Sequence, residues 1–368
     1  MKKLIVYISN IPWDYAWHRQ QEMMTKMSEA GYCILFIQPS TKKLWKSSFI
    51  QKATNIWLLT PPGLPYERVL RSVHAINARL AEKHIKKAIK ELACDEVIFW
   101  FDRVHGIQYE AFKNYFVVYD LIDELLAFGR VRNERMLISL ENKVLRNADL
   151  VISSSKTLLD RKLQQCGGRE DKGIFIPNGV DTARFETEKE WERIKNISYP
   201  RIGFVGTISQ RSLDYDLIKA VAKHNPNWNF IFVGPGREED KAKLRANNIY
   251  VFDAVDGEKI PEVVNAFDVG IIPYVCQGEK MDYVFPRKAC EFLAAGLPTV
   301  STPLSEISYL SEYVDVAYSA EDFERKIREC LLKADKEQRK AYAKAFDWNV
   351  LMDDLMKKLQ QQKIEVET

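Results

Sequence analysis

The 368-residue sequence contains no run approaching the roughly 18 apolar residues of a membrane-crossing helix, so no span is expected. The apolar start, Leu4–Ile8, gives way at once to polar residues; it is too short for a signal peptide and reads as a first strand, as in a cytoplasmic, soluble or surface-attached protein. An excess of one charge is also missing. With 54 basic against 51 acidic residues, a net charge of +3 argues against a nucleic-acid binder acting through a large positive field, while leaving room for local basic patches. The cysteines, Cys33, Cys94, Cys166, Cys276, Cys290 and Cys330, form no C-x-x-C pair, which argues against zinc or a disulfide framework and for reduced thiols. No repeat at a solenoid period is visible, and the loop after the first strand lacks the G-x-G-x-x-G of dinucleotide binders.

What is present is a globular composition, 46% hydrophobic and 11% aromatic, in a chain long enough for two domains. Short apolar runs alternate with helical periodicity from the start: Leu4–Ile8, a helix over about His18–Ala30 closed by Gly31, then Cys33–Ile37. This β-α-β opening predicts a parallel sheet, whose ligands bind beyond the carboxyl ends of the strands. Trp13, Asp14, His18 and Arg19 lie in the first such loop; core packing by Trp13 and Trp17 and helix capping by His18 are the competing explanation. Asp102, Arg103 and His105 follow the strand Val97–Phe101, and Asp120, Asp123 and Glu124 follow Phe116–Tyr119. Asp102, His105 and Asp123 are therefore site candidates. No D-x-D motif links these acids, and Asp120 is equally suited to cap a helix.

In the second half, Pro177-Asn178-Gly179-Val180-Asp181 marks a tight turn, and the polar stretch Glu186–Ser198 reads as a linker. The strand Arg201–Val205 runs into Gly206 and Thr207, with Arg211 in the same loop; Asn229–Val233 runs into Gly234. A glycine at a strand end lets backbone approach a ligand. Asp268–Tyr274 is a buried strand before the stretch Phe285–Ser301, in which Pro286 opens a helix over about Arg287–Ala295 and Gly296 and Pro298 stop it. Arg287, Lys288 and Glu291 share one face of that helix near its positive end. This suits a diphosphate and a sugar hydroxyl, but it also suits an ordinary i,i+4 salt bridge between Arg287 and Glu291.

The pattern Pro286-x-Lys288-x-x-Glu291-Phe292-Leu293-Ala294-Ala295-Gly296-x-Pro298-x-Val300 resembles the donor-site signature of retaining glycosyltransferases of the GT-B fold, group 1 or family 4-like. It is most similar to bacterial enzymes of teichuronic acid and cell-surface polysaccharide synthesis. The resemblance implies an α/β protein with two doubly wound Rossmann-like domains facing across a cleft. The acceptor-side domain would be 1–185 with a terminal helix, 346–362, crossing back to it, and the donor domain 199–345. It implies transfer from a nucleotide-diphosphate sugar, a UDP-sugar, to a glycan or lipid-linked acceptor, with retention and without metal or cofactor.

By the same resemblance Glu291 holds the ribose, and Gly206, Thr207, Gly234, Val255, Tyr283 and Pro286 line the donor. Arg211, Arg287 and Lys288 meet the diphosphate, while Trp13, Asp14, His18 and Arg19 face the acceptor. Tyr283 stands where many relatives carry a second Glu, and Asp214 and Tyr215 lie near where a Lys completes the phosphate loop. Two rivals stay open: a sugar-nucleotide epimerase of this architecture using Asp102, His105 and Asp123, and a non-catalytic nucleotide-sugar-binding subunit. The basic helix expected over 67–91, with Arg68, Arg71, Arg79, Lys83, Lys86, Lys87 and Lys90, is either a solvated face or a contact for anionic lipid headgroups.

Overall fold

Runs of β-branched and aromatic residues make the strands, and most are buried on both faces, as parallel strands covered by helices must be. In the computed structural model, which describes residues 2–9, 11–15, 17–65, 71–102, 115–124, 134–167, 170–276 and 283–367, the chain divides into two compact units. One comprises Met1–Pro177 and Met352–Thr368, the other Asn178–Leu351.

Among the described residues the first unit holds an eight-stranded sheet. Its strands are β1 (Lys3–Ile8), β2 (Cys33–Ile37), β3 (Ser48–Ala53), β4 (Ile56–Thr60), β5 (Glu96–Phe101), β6 (Phe116–Leu121), β7 (Leu150–Ser153) and β8 (Gly173–Phe175). They run in the order β3-β4-β2-β1-β5-β6-β7-β8, all parallel except β3, which pairs antiparallel with β4 at the edge. β3 is largely exposed, and its residues show no apolar-polar alternation that would mark it as a strand. The second unit holds β9 (Arg201–Val205), β10 (Asn229–Val233), β11 (Ile249–Phe252), β12 (Val269–Ile272), β13 (Thr299–Ser301) and β14 (Val314–Val316). These form an all-parallel sheet ordered β11-β10-β9-β12-β13-β14. Ile202, Phe204, Phe230, Phe232 and Val269 are at most 1% exposed in its core, each such side chain contributing about 1.5–3 kcal/mol of transfer free energy.

Both units anchor a strand in the same way. Asp149, just before β7, exchanges bonds with Val117: its amide donates to the Val117 carbonyl at 2.9 Å and its carboxylate accepts from the Val117 amide at 2.7 Å. Asp268, just before β12, does the same with Arg201 at 2.9 and 2.7 Å. Burial pushes both carboxyls up.

The Asn-Gly turn belongs to the second unit, so the first unit ends at Pro177 and not at 185. Val180 bridges to Asp347, Thr182 donates its amide and hydroxyl to the Asp347 carboxylate at 3.0 and 2.6 Å, and a Cβ on Gly179 would lie 2.7 Å from the Trp348 ring. The stretch 186–198 is no free linker either. Trp191 and Ile194 are buried, the Trp191 ring meets Phe252 edge-on at 5.3 Å, and its amide donates to the Glu262 carbonyl at 3.0 Å. The terminal helix, Trp348–Glu367, starts in the second unit, with Trp348 3% exposed, and belongs to the first from Met352 on, where Leu355 and Leu359 are buried.

Cys33, Cys166, Cys290 and Cys330 are buried free thiols. Among the described residues no helix is long and apolar enough to cross a membrane.

Candidate functional site

In the second sheet the strand order reverses between β9 and β12. Connections leave these neighbours toward opposite faces, so their carboxyl ends open a crevice at this point. Two features of the sequence meet there: the glycine loop after β9 and the helix Arg287–Ala294 that follows β12.

The glycines are forced by space. Gly206 has φ +150°, and a Cβ there would sit 2.1 Å from Lys288 Cε and 2.7 Å from its Nζ. At Gly234, φ +159°, a Cβ would lie 1.9 Å from the Gly206 carbonyl oxygen. The two strand ends are tied together: the Gly206 amide donates to the Val233 carbonyl at 2.9 Å, and the Ile208 amide to the Pro235 carbonyl at 2.8 Å. The sequence suggests Gly206 and Gly234 as separate ligand contacts. In the structure they form one bare backbone surface under the Lys288 side chain.

Pro286 is the N-cap residue of the helix. Ala289, Cys290, Phe292 and Leu293 seat it on the sheet, with Phe292 packed where a Cβ on Gly270 would be 2.5 Å from its ring. That leaves Arg287, Lys288 and Glu291 on the free face. Arg287 Nε lies 2.9 Å from Glu291 Oε1, with the carboxylate 13% exposed and the guanidinium 38%. Lys288 Nζ stands 5.8 Å above the Phe204 ring, an apolar floor that strengthens the field of the ammonium. The Cys290 thiol is pushed far up by burial and then by Glu291, so it is an inert packing group. Upstream, Tyr283 is 9% exposed, and the Asn178 side-chain amide donates to the Phe285 carbonyl at 3.3 Å.

The remaining donor candidates sit around this centre with less commitment. Thr207 and Arg211 are exposed, the Arg211 amide donating to Ser209 Oγ at 3.3 Å, and Val255 is half-buried in the segment after β11. Asp214, near the position where the resemblance expects a Lys, is the N-cap of the helix Tyr215–His224 and accepts from the Leu217 amide at 2.9 Å.

In the first unit the corresponding reversal lies between β1 and β5. Asp102, at the end of β5, is 7% exposed and accepts from the Tyr7 hydroxyl at 3.3 Å and from Gln20 Nε2 at 3.4 Å. Arg19 is 6% exposed; its guanidinium donates to the Pro177 carbonyl at 3.0 Å and lies 3.5 Å from Asp120, which is fully buried. Asp120 is inside β6 and caps no helix. Burial pushes its carboxyl up, with Arg19 and Trp100 working against the shift, while burial and then Asp102 push the Tyr7 hydroxyl well up. Tyr7 and Trp100 were missed as partners because inside an all-apolar strand nothing in the sequence distinguishes a ring with a polar task from one that only packs.

The loop candidates are dispersed. Trp13 is 5% exposed, in edge-on contact with Phe36 at 5.0 Å and Trp17 at 6.1 Å, so its ring belongs to the core. Asp14 is exposed and paired with Lys52 at 2.8 Å. His18 is the exposed N-cap residue of the helix Arg19–Glu29, its amide donating to Gln21 Oε1 at 3.1 Å. Asp123 is exposed, and Arg68, Arg103 and His105 lie outside the described residues.

Residues 199–333 match the family described as Glycosyl transferases group 1. Over 243 residues the chain is 33% identical to TuaH of Bacillus subtilis (strain 168), provisionally named a teichuronic acid biosynthesis glycosyltransferase; the match spans 61% of this chain and 59% of that protein's length. Sucrose-phosphate synthase from Thermosynechococcus elongatus has the same fold, with a TM-score of 0.76 at 14% identity over 99% of this chain and all of the other. HepE of Anabaena, solved with UDP and glucose, gives 0.70 at 17% identity over 97% and 99% of the two chains. The trehalose-6-phosphate protein of E. coli bound to UDP-2-fluoro glucose gives 0.71 at 11% identity over the same shares. With its two parallel-sheet units the chain has the GT-B fold, and residues 199–333 of the second unit match the Glycosyl transferases group 1 family.

Proposed function

We propose that the protein is a glycosyltransferase that takes a sugar from a nucleoside-diphosphate sugar, most simply a UDP-sugar, and passes it to a glycan or lipid-linked saccharide in cell-surface polysaccharide synthesis. The observation that carries this reading is the approach of Lys288 to the bare backbone of Gly206, beside the first turn of the helix Arg287–Ala294. Backbone without side chains, a helix N-terminus and a fixed ammonium are the parts that hold a diphosphate. The TuaH likeness supports the biosynthetic setting, and the UDP named for HepE supports the nucleotide.

In the reaction the bond between the sugar's anomeric carbon and the diphosphate oxygen breaks, an acceptor hydroxyl oxygen bonds to the same face of that carbon, and the hydroxyl proton passes to the departing diphosphate oxygen. Negative charge grows on the leaving diphosphate, where Lys288, Arg287 and Arg211 are the candidate counter-charges; cations already in place lower the barrier without reorganising. Arg287 fixes Glu291 by one oxygen, which orients the carboxylate toward the ribose hydroxyls it is proposed to accept from. The proposal places the acceptor at the first unit, beside Asp102. The exposed Arg79, Lys83, Lys86, Lys87 and Lys90 of the helix Arg71–Leu92 support a cytoplasmic protein that meets anionic lipid where a lipid-linked acceptor resides.

The test is calorimetric titration of UDP into the wild type and Glu291→Ala. A fall in affinity of roughly tenfold or more is expected from a lost pair of charge-assisted hydrogen bonds. Equal affinities would remove Glu291 from the ribose and take the donor assignment with it.

A further inference from the structure

Between Ala30 and Tyr66 the sequence has no acidic residue, yet it carries Lys42, Lys43, Lys46 and Lys52. The loop that leaves the first sheet after β2 gathers three of these around an uncovered apolar pair. Trp45 is 86% exposed and Leu44 47%, with Lys42, Lys43 and Lys46 exposed beside them. An isolated exposed leucine needs no explanation, but a tryptophan displayed on a basic, acid-free loop does.

The display is built. Thr41 Oγ1 lies 2.7 Å from the Lys46 carbonyl and accepts from the Lys43 amide at 3.3 Å, and the Lys46 amide donates to the Lys43 carbonyl at 3.3 Å. Lys42 takes the left-handed conformation, φ +59°, which sharpens the turn. The loop is stitched to 61–64 by the Thr41 amide on the Pro61 carbonyl at 3.0 Å, and Asn77 holds Leu64 by bonds of 2.7 and 3.0 Å. Next to the loop, Ile50 on the open edge strand β3 is 53% exposed.

We propose that the loop 41–47 is a bilayer-docking element, Trp45 and Leu44 entering the headgroup boundary of an anionic membrane and Lys42, Lys43 and Lys46 meeting its phosphates. Tryptophan suits that boundary because its ring is apolar and its N–H stays wet, and lysine stems reach the headgroups while their ammonium ions remain hydrated. The absence of carboxylates removes the repulsion an anionic surface would otherwise impose, which is the complementarity that selects this partner. Contact by helix Arg71–Leu92 rests on charge alone; this loop adds insertion. It holds whether or not the protein transfers sugar, so its test stands apart from that of the donor site.

The test is co-sedimentation of the full chain with vesicles of phosphatidylcholine alone and of phosphatidylcholine mixed equally with phosphatidylglycerol. The wild type should partition onto the anionic vesicles. Trp45→Ser should lower the partition coefficient about tenfold, the order expected for losing one buried aromatic ring. Each of Lys42→Gln, Lys43→Gln and Lys46→Gln should lower it about fivefold. Far-UV circular dichroism and the thermal unfolding midpoint measured in parallel should stay unchanged, which reports an intact fold. Equal partition onto both vesicle types, or no effect of Trp45→Ser, overturns the proposal. So does a concentration-dependent dimer in sedimentation velocity that Trp45→Ser abolishes, because the loop would then serve a second copy of the chain.

Discussion

The strand orders of the two units reverse at corresponding places, but what the crevices hold is opposite. In the first unit the charges at the reversal are already answered within the protein: Arg19 by Asp120 and the Pro177 carbonyl, Asp102 by Tyr7 and Gln20. In the second, Lys288 lies over backbone from which side chains have been removed, and its neighbour Arg287 has the carboxylate. Self-satisfied charge makes a rigid wall. Charge held over glycine is what the proposed donor site requires. The topology supplies a location, and side-chain chemistry decides whether that location binds.

The largest expected effect breaks the first wall. Arg19→Met leaves Asp120 buried without its cation and should cost about 3–5 kcal/mol in urea unfolding, whereas Arg19→Met with Asp120→Leu should recover most of it. UDP affinity of the folded variant should be unchanged, since the nucleotide is assigned to the other unit. A drop would mean the two crevices are not separable in this way.

The next effect reads the receptor. Gly206→Val drives a side chain into Lys288 and should weaken UDP at least about a hundredfold, and Lys288→Met, which removes a charge and keeps the stem, about tenfold to a hundredfold. Calorimetry on both would sharpen the contrast, and a Lys288→Met protein with wild-type affinity would end it.

The smallest effect concerns the start of the terminal helix, within the second unit. Burial pushes the Asp347 carboxyl up, but donations from Thr182 and Asn349 outweigh this and hold it below the usual carboxylate range. A depressed value in the folded state means the unfolded chain binds more protons in that window. The stabilisation is therefore fully present above the ordinary value, about 3.9, and lost as pH falls through the lower folded one. Asp347→Ala should cost about 1–3 kcal/mol near neutral pH, with the gap from the wild type closing in acid.

Much of this was legible beforehand, for identifiable reasons. Cys33–Ile37, Arg201–Val205 and Asn229–Val233 are mainly apolar runs with clear stops, and the structure has them with those bounds. The helix Arg287–Ala294 followed from Pro286 at one end and Gly296 at the other. The edge strand β3 was not legible, because it is exposed and polar and its place depends on β4 beside it. Nor was the packing of 186–198, where a charged sequence conceals Trp191 and Ile194. At the site, Lys288 and Gly206 could each be suspected alone, but 82 residues separate them in the numbering, and no local pattern reports that they touch. Trp13 shows the converse: a loop tryptophan that looked available is fixed by Phe36, a contact only the fold creates.

The route of the terminal helix sets an order of events. Residues from Met352 on complete the unit made by the first 177, so a ribosome must make the terminal helix before that unit can close over Leu355 and Leu359. Until then the earliest-synthesised half waits with an apolar seat open, whereas the residues of the second unit are all made once the chain reaches Leu351.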